Sequence, residues 1–104
     1  MNQPKARGNI INDLERTLGK ALRKFPEWPT DPQHAANVIG EEYGELQKAL
    51  LEHTYEQDKG VTIEDIRNEA LQTMAMCHRF ISALDDGAYK FEPSEQYRQS
   101  DEQT

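Results

Sequence analysis

The chain has 104 residues, of which 36% are apolar, and its formal net charge is −7. This length corresponds to one domain with a modest core. The acidic balance excludes nucleic-acid polymers and anionic membranes as partners, because both bind basic surfaces. No apolar run exceeds four residues, so we expect neither a membrane span nor a signal-peptide core, and we expect a cytoplasmic protein. A single cysteine and three histidines argue against a disulfide or a structural zinc site.

The first two predicted helices are separated by a stretch rich in proline. Apolar residues at helical spacing predict a first helix over about residues 9–25. The segment Phe25-Pro-Glu-Trp-Pro-Thr-Asp-Pro then interrupts any helix, because three prolines remove donors and restrict the residues before them. Asp31 followed by Pro32 is typical of a helix start and predicts a second helix over residues 32–55.

A third helix is predicted over residues 63–85, with Thr62 and Asp65 forming a capping box at its start. Together the helices predict one domain over residues 1–87. Residues 88–104 are predicted to be a polar tail, with about its last eight residues disordered and with Tyr89 and Phe91 pinning it to the helices. No β alternation extends beyond a few residues, so the predicted fold class is all-α.

The most informative feature is a set of glutamates on the apolar faces of the second and third helices. At roughly 100° per residue, Glu42 lies within the apolar arc of its helix and Glu45 at the edge of that arc. On the helical wheel of the third helix, Glu69 lies between the apolar residues Met76 and Phe80. An ionised carboxylate that faces a core is unfavourable by several kcal/mol unless a cation or a donor compensates it. The simplest interpretation is a metal site, and the alternative is a polar helix face paired with lysines.

The donor set favours one class of metal ion. Mg²⁺ binds hard oxygen ligands and usually retains several waters, so a few carboxylates together with substrate phosphates suit it. Mn²⁺ is a possible substitute with similar ligand preferences. A di-iron bundle would need a Glu-x-x-His repeat, and no glutamate of this chain has a histidine three residues later.

These residues also carry a family resemblance. Glu42-Tyr-Gly-Glu45 is followed, after 23 residues, by Glu69-Ala-Leu-Gln72. This pattern resembles the E-x-x-E…E-x-x-D signature of the MazG-like all-α nucleoside triphosphate pyrophosphohydrolases, in particular a small single-domain branch. The resemblance extends over roughly residues 24–85 and includes the Pro/Trp segment before the second helix.

The resemblance implies a hydrolase that converts an NTP or dNTP to the monophosphate and pyrophosphate, with Mg²⁺ held by Glu42, Glu45 and Glu69. Glu41 or Glu45 would act as the general base that orients the attacking water. Gln72 stands where the family has aspartate, so it would ligate weakly or donate to a phosphate, and Asp65 would supply the missing carboxylate. The rival hypotheses are a non-catalytic metal- or nucleotide-binding helical oligomer and a plain interaction module.

Three further residues are candidates for substrate binding, each with an ordinary alternative. Trp28 either caps the core or stacks on a base. Arg79 and Lys48 either contact phosphate oxygens or form ordinary surface pairs. The sequence selects neither the base nor the sugar of the substrate.

The predicted architecture extends beyond one chain. The apolar arcs of the second and third helices are broader than one antiparallel neighbour covers, and the first helix carries only a narrow apolar stripe. We therefore expect antiparallel helices that complete a four-helix bundle through homo-oligomerisation, as a homodimer or a homotetramer.

Overall fold

A computed structural model describes residues 8–92 of the chain. These residues form three α-helices, α1 (Ile10–Lys24), α2 (Pro32–Tyr55) and α3 (Ile63–Asp85), and a short 3-10 helix over Gln57–Lys59. No strand occurs within this range, so the all-α prediction is confirmed for it. The helix boundaries lie within one residue of the predicted ones. None of the three helices is long and apolar enough to cross a membrane. The predicted disorder of the last eight residues lies outside the described range.

Each α-helix begins at a side chain that accepts hydrogen bonds from its first turn. Asn9 caps α1, and Asp31 caps α2 just before Pro32, which needs no partner for a backbone N–H. At α3 the backbone N–H of Thr62 donates to Asp65 at 2.8 Å, and the Asp65 N–H donates to the Thr62 hydroxyl at 3.0 Å. These local contacts explain why the three helix starts follow from the sequence.

The helices run up, down and up, with α3 in the centre. Residues 41–42 of α2 lie across from residues 72–79 of α3, and residues 45–52 lie across from residues 61–72. The helix α1 lies on another side of α3, where the Arg67 guanidinium donates to the Asp13 carboxylate at 2.8 Å. Within the described residues, α3 packs against both α1 and α2, but α1 and α2 do not pack against each other.

Alanine supplies three of the six buried apolar residues in the part of the chain that the structure describes. These six residues are Ala35, Ala49, Leu71, Ala75, Met76 and Tyr89. Alanines allow the helix backbones to approach closely but bury little apolar surface. A chain with this core leaves much of its apolar surface exposed.

The predicted apolar arcs are therefore only partly buried. At about 100° per residue, the arc of α2 includes Tyr43 and the arc of α3 includes Leu84. These two residues are nevertheless 51% and 46% exposed. Conversely, Leu71 and Ala75 fall outside the predicted arc of α3 and are buried. The physical reason is that α3 is covered on two sides, since α1 packs on a face that the single-arc interpretation assigned to solvent.

Beyond α3 the chain turns back across the Pro/Trp segment. Gly87 has a φ of 67°, a left-handed conformation that glycine adopts without strain. Tyr89 is then buried, with its ring 5.0 Å from that of Phe80, and the Lys90 N–H donates to the Thr30 carbonyl at 3.1 Å. We call residues 88–91 the strap. The expectation that Tyr89 pins this segment to the helices agrees with these contacts. Phe91, for which the same role is predicted, is instead 67% exposed, with its ring 6.1 Å from that of Tyr89.

Candidate functional site

A cleft of about 710 Å³ lies above α3, because α1 and α2 flank that helix without meeting. Lys20 and Lys24 line it from α1, and Glu41 and Glu42 line it from α2. Trp28 lines it from the Pro/Trp segment. Small-molecule sites typically measure roughly 300–1,000 Å³, so the cleft is large enough for a nucleotide. Its two walls carry opposite charges.

A second cavity of about 430 Å³ adjoins the cleft and contains the other predicted metal ligands. Glu45 lines it from α2, and Asp65 and Glu69 line it from α3. We call this cavity the acidic pocket. Asn68 and Gln72 line both cavities, so they form the boundary between them. The four predicted glutamates thus fall on the two sides of this boundary, with Glu41 and Glu42 in the cleft.

Glu42 and Glu69 are partly buried, and their carboxylates are repelled by neighbouring acidic residues. Burial raises the pKa of the Glu42 carboxyl, and the negative charges of Glu69 and Glu45 raise it further. Burial likewise raises the pKa of Glu69, to which Glu45 and Asp65 add. None of the ion pairs formed within residues 8–92 includes Glu41, Glu42, Glu45 or Glu69. The alternative in which these glutamates pair with lysines therefore finds no support within that range.

The predicted ligands do not converge on a single point. Among the described residues, no three acidic, histidine or cysteine side chains lie close enough to share one metal ion. Like charges repel, which disfavours the close approach of carboxylates on flexible side chains. Asp65 is also engaged in the capping box, where the Thr62 backbone N–H and hydroxyl hold the pKa of its carboxyl low.

Arg79 is the most unusual charged residue of the cleft. It is only 8% exposed, yet no carboxylate among the described residues lies within ion-pair distance of it. Its guanidinium lies 4.7 Å from the centre of the Trp28 ring and donates to the Glu27 carbonyl at 3.4 Å. Burial lowers the pKa of this guanidinium. A buried cation without an anion is unfavourable, and its position in the cleft suits a bound anion.

Trp28 both contacts the core and lines the cleft, and its stacking on a base stays a prediction. Its indole N–H donates to the Tyr89 hydroxyl at 2.7 Å, which ties the ring to the core. The same ring lines the cleft, so it remains available to a ligand. Lys48 lies at the acidic pocket beside Glu45, outside the cleft, and forms no ion pair within the described range.

Two cleft residues were missed by the sequence analysis. Lys20 lies one helical turn from Lys24, which puts both on one face of α1, and this spacing was a usable signal. Asn68 directly precedes Glu69 but carries no recognisable pattern of its own. Neither could be assigned to the site without knowing that α1 leaves a gap beside α2.

Comparisons of the chain with protein-family models, with curated proteins and with solved structures find no match.

Proposed function

We propose that the protein is a Mg²⁺-dependent nucleoside triphosphate pyrophosphohydrolase of the MazG-like kind, cleaving an NTP or dNTP to the monophosphate and pyrophosphate. The observation that carries this proposal is the charge distribution of the cleft. Glu42 on one wall is partly buried, and Arg79 near Trp28 is 8% exposed and has no carboxylate partner among the described residues. A metal-bound polyphosphate satisfies both, because the metal offsets the carboxylates and the phosphate oxygens offset the guanidinium.

The glutamates fit a hard divalent cation in charge and chemistry. Glu42, Glu45 and Glu69 would hold Mg²⁺, or Mn²⁺ in its place, with Gln72 or Asp65 as an additional oxygen donor. The raised pKa values of Glu42 and Glu69, and the absence of an ion pair to any of the three glutamates within the described range, support this assignment. When bound, such an ion polarises phosphoryl oxygens and reduces the charge that a nucleophile must approach.

The remaining residues of the two cavities would orient the attacking water or bind the phosphate oxygens of the substrate. Glu41 and Glu45 are exposed glutamates at the cleft and the acidic pocket, where either can accept a proton from a water as the general base. Lys20, Lys24 and Arg79 would bind phosphate oxygens. Lys48 would act in the same way from the acidic pocket.

We also propose that the chain works as a homodimer or homotetramer. Tyr43 and Leu50, seven residues apart on α2, are 51% and 46% exposed, and Met74 and Ile81 repeat this spacing on α3. Side chains seven apart lie on one helix face, so α2 and α3 both present an uncovered apolar stripe. Pairing these stripes with those of a second copy would complete a four-helix bundle.

The decisive experiment is pyrophosphate release from a panel of NTPs and dNTPs with Mg²⁺. We expect turnover of at least one nucleotide by the wild type and none by Glu42→Gln or Glu69→Gln, with the helix content unchanged by circular dichroism. Glu64→Gln, an exposed glutamate in the first turn of α3, is the matched control and should retain activity. Activity that survives in the Glu42→Gln/Glu69→Gln double variant would disprove the assignment of the site.

A second function is favoured by one specific observation. Gln72, a neutral amide, stands at the boundary of the two cavities, where the MazG-like pattern has an aspartate. A site with one carboxylate fewer suits a non-catalytic oligomer that binds a metal or a nucleotide. Nucleotide binding without pyrophosphate release from any member of the panel would favour this alternative.

A further inference from the structure

Trp28 lines two cavities. One is the cleft, and the other is a smaller cavity of about 290 Å³ that is also lined by Ala88 at the start of the strap. Arg79 lines the same two cavities. Because space remains in both cavities, close packing alone does not determine where these two side chains lie. Directional contacts must do so.

The contacts form a chain that begins outside the cleft. The Tyr89 hydroxyl accepts from the Trp28 indole at 2.7 Å, and the Trp28 ring lies 4.7 Å from the Arg79 guanidinium carbon. Tyr89 itself is buried and packs on Phe80, so its hydroxyl is held firmly. By contrast, the other polar contact of Arg79, to the Glu27 carbonyl, is long at 3.4 Å.

We propose that Tyr89 is a positioning residue for the cleft: its hydroxyl fixes the Trp28 indole, and the indole in turn holds the Arg79 guanidinium where an anionic ligand contacts it. This inference rests on the proposed polyphosphate-binding role of the cleft. Tyr89 does not line the cleft and touches no ligand there. It acts through Trp28, and the strap thereby becomes part of the binding machinery.

The test measures the affinity for pyrophosphate, the inorganic product of the proposed reaction, by calorimetry in the presence of Mg²⁺. Tyr89→Phe keeps the ring that packs on Phe80 and removes only the hydroxyl. We expect its Kd to rise about three- to tenfold, the usual range for one lost neutral hydrogen bond. Tyr55→Phe is the matched control, because Tyr55 is 78% exposed and lies away from both cavities. Its Kd should equal that of the wild type.

A double-mutant cycle separates positioning from general stabilisation. Trp28→Phe removes the indole donor, so adding Tyr89→Phe to it should weaken binding no further. If the two effects multiply instead, Tyr89 does not act through Trp28 and the inference is wrong. An unchanged Kd in Tyr89→Phe, or no binding of pyrophosphate by the wild type, would also overturn it.

Spectroscopy supplies a readout that does not depend on the ligand. Trp28 is the one tryptophan of the sequence, so fluorescence excited at a wavelength that tyrosine does not absorb reports on it alone. Acrylamide should quench the indole more strongly in Tyr89→Phe than in Tyr55→Phe, while the helix content stays the same. Equal quenching in the two variants would contradict the positioning role. Pyrophosphate binding without nucleotide hydrolysis would refute only the proposed enzymatic activity, so the two failures are distinguishable.

Discussion

Replacing Arg79 by methionine should stabilise the ligand-free protein and abolish its response to anions. Methionine has a similar length and no charge, so Arg79→Met relieves the desolvation of a cation that is 8% exposed and lacks a carboxylate partner among the described residues. Desolvation of an ion is unfavourable by several kcal/mol. The lost contacts offset part of this gain, because the stack on Trp28 contributes about 1–2 kcal/mol and the long bond to the Glu27 carbonyl at most about 1 kcal/mol.

The net expectation is a free energy of unfolding higher by about 1 kcal/mol, which raises Tm by roughly 4–8 °C in a domain of this size. Thermal scans without and with millimolar pyrophosphate measure both effects. Pyrophosphate should raise the Tm of the wild type by mass action but not that of Arg79→Met. Arg23→Met, at an exposed arginine outside the cleft, controls for the loss of one positive charge. If Arg79→Met is less stable than the wild type and still responds to pyrophosphate, Arg79 is a structural residue and not an anion site.

Three further predictions follow from the glutamates and the exposed stripes. Mg²⁺ should raise the Tm of the wild type by several degrees, whereas Glu42→Gln should have a higher Tm without metal and a smaller response to it; equal responses would remove Glu42 from the metal site. Because the pKa values of Glu42 and Glu69 are raised by folding, the folded state binds protons more tightly, so the metal-free protein should gain stability as the pH falls from neutral towards the ordinary glutamate value of 4.5. Denaturant titrations should show this gain disappear in the Glu42→Gln/Glu69→Gln variant. Finally, Ile81→Glu should dissociate the oligomer in sedimentation equilibrium. Ile10→Glu, at a similarly exposed isoleucine of α1, should not. A wild-type monomer at micromolar concentration would refute the proposed four-helix bundle of two copies.

The helices could be predicted because their signals are local. Asp31-Pro32 and the Thr62/Asp65 box each determine a helix start within four residues, and both act as expected. The partial burial of Glu42 and Glu69 also follows from helical periodicity, because a residue within an apolar arc faces a neighbouring helix. This holds regardless of which helix the neighbour is.

The other half of the site depends on which neighbour covers each face, and periodicity does not encode that. An ordinary surface position is one of the two alternatives that the sequence leaves open for Arg79, yet the residue is 8% exposed and lines the cleft beside α1 and the Pro/Trp segment. Lys20 lines the cleft because α1 and α2 do not pack against each other within the described residues, which leaves a gap between them. The role of Tyr89 requires a contact with Trp28 across 61 residues of sequence, which no local pattern indicates.

The central position of α3 has a consequence for the local unfolding of the protein. Because α1 contacts α3 and not α2 within the described residues, α1 can detach without dismantling the α2–α3 hairpin. Such sub-global openings have lower free energies than complete unfolding and are detected by amide hydrogen exchange. The amides of α1 should therefore exchange faster than those of α3. One wall of the cleft would then be a cooperative unit of its own, so a ligand that bridges Lys20 and Glu42 would slow exchange throughout α1.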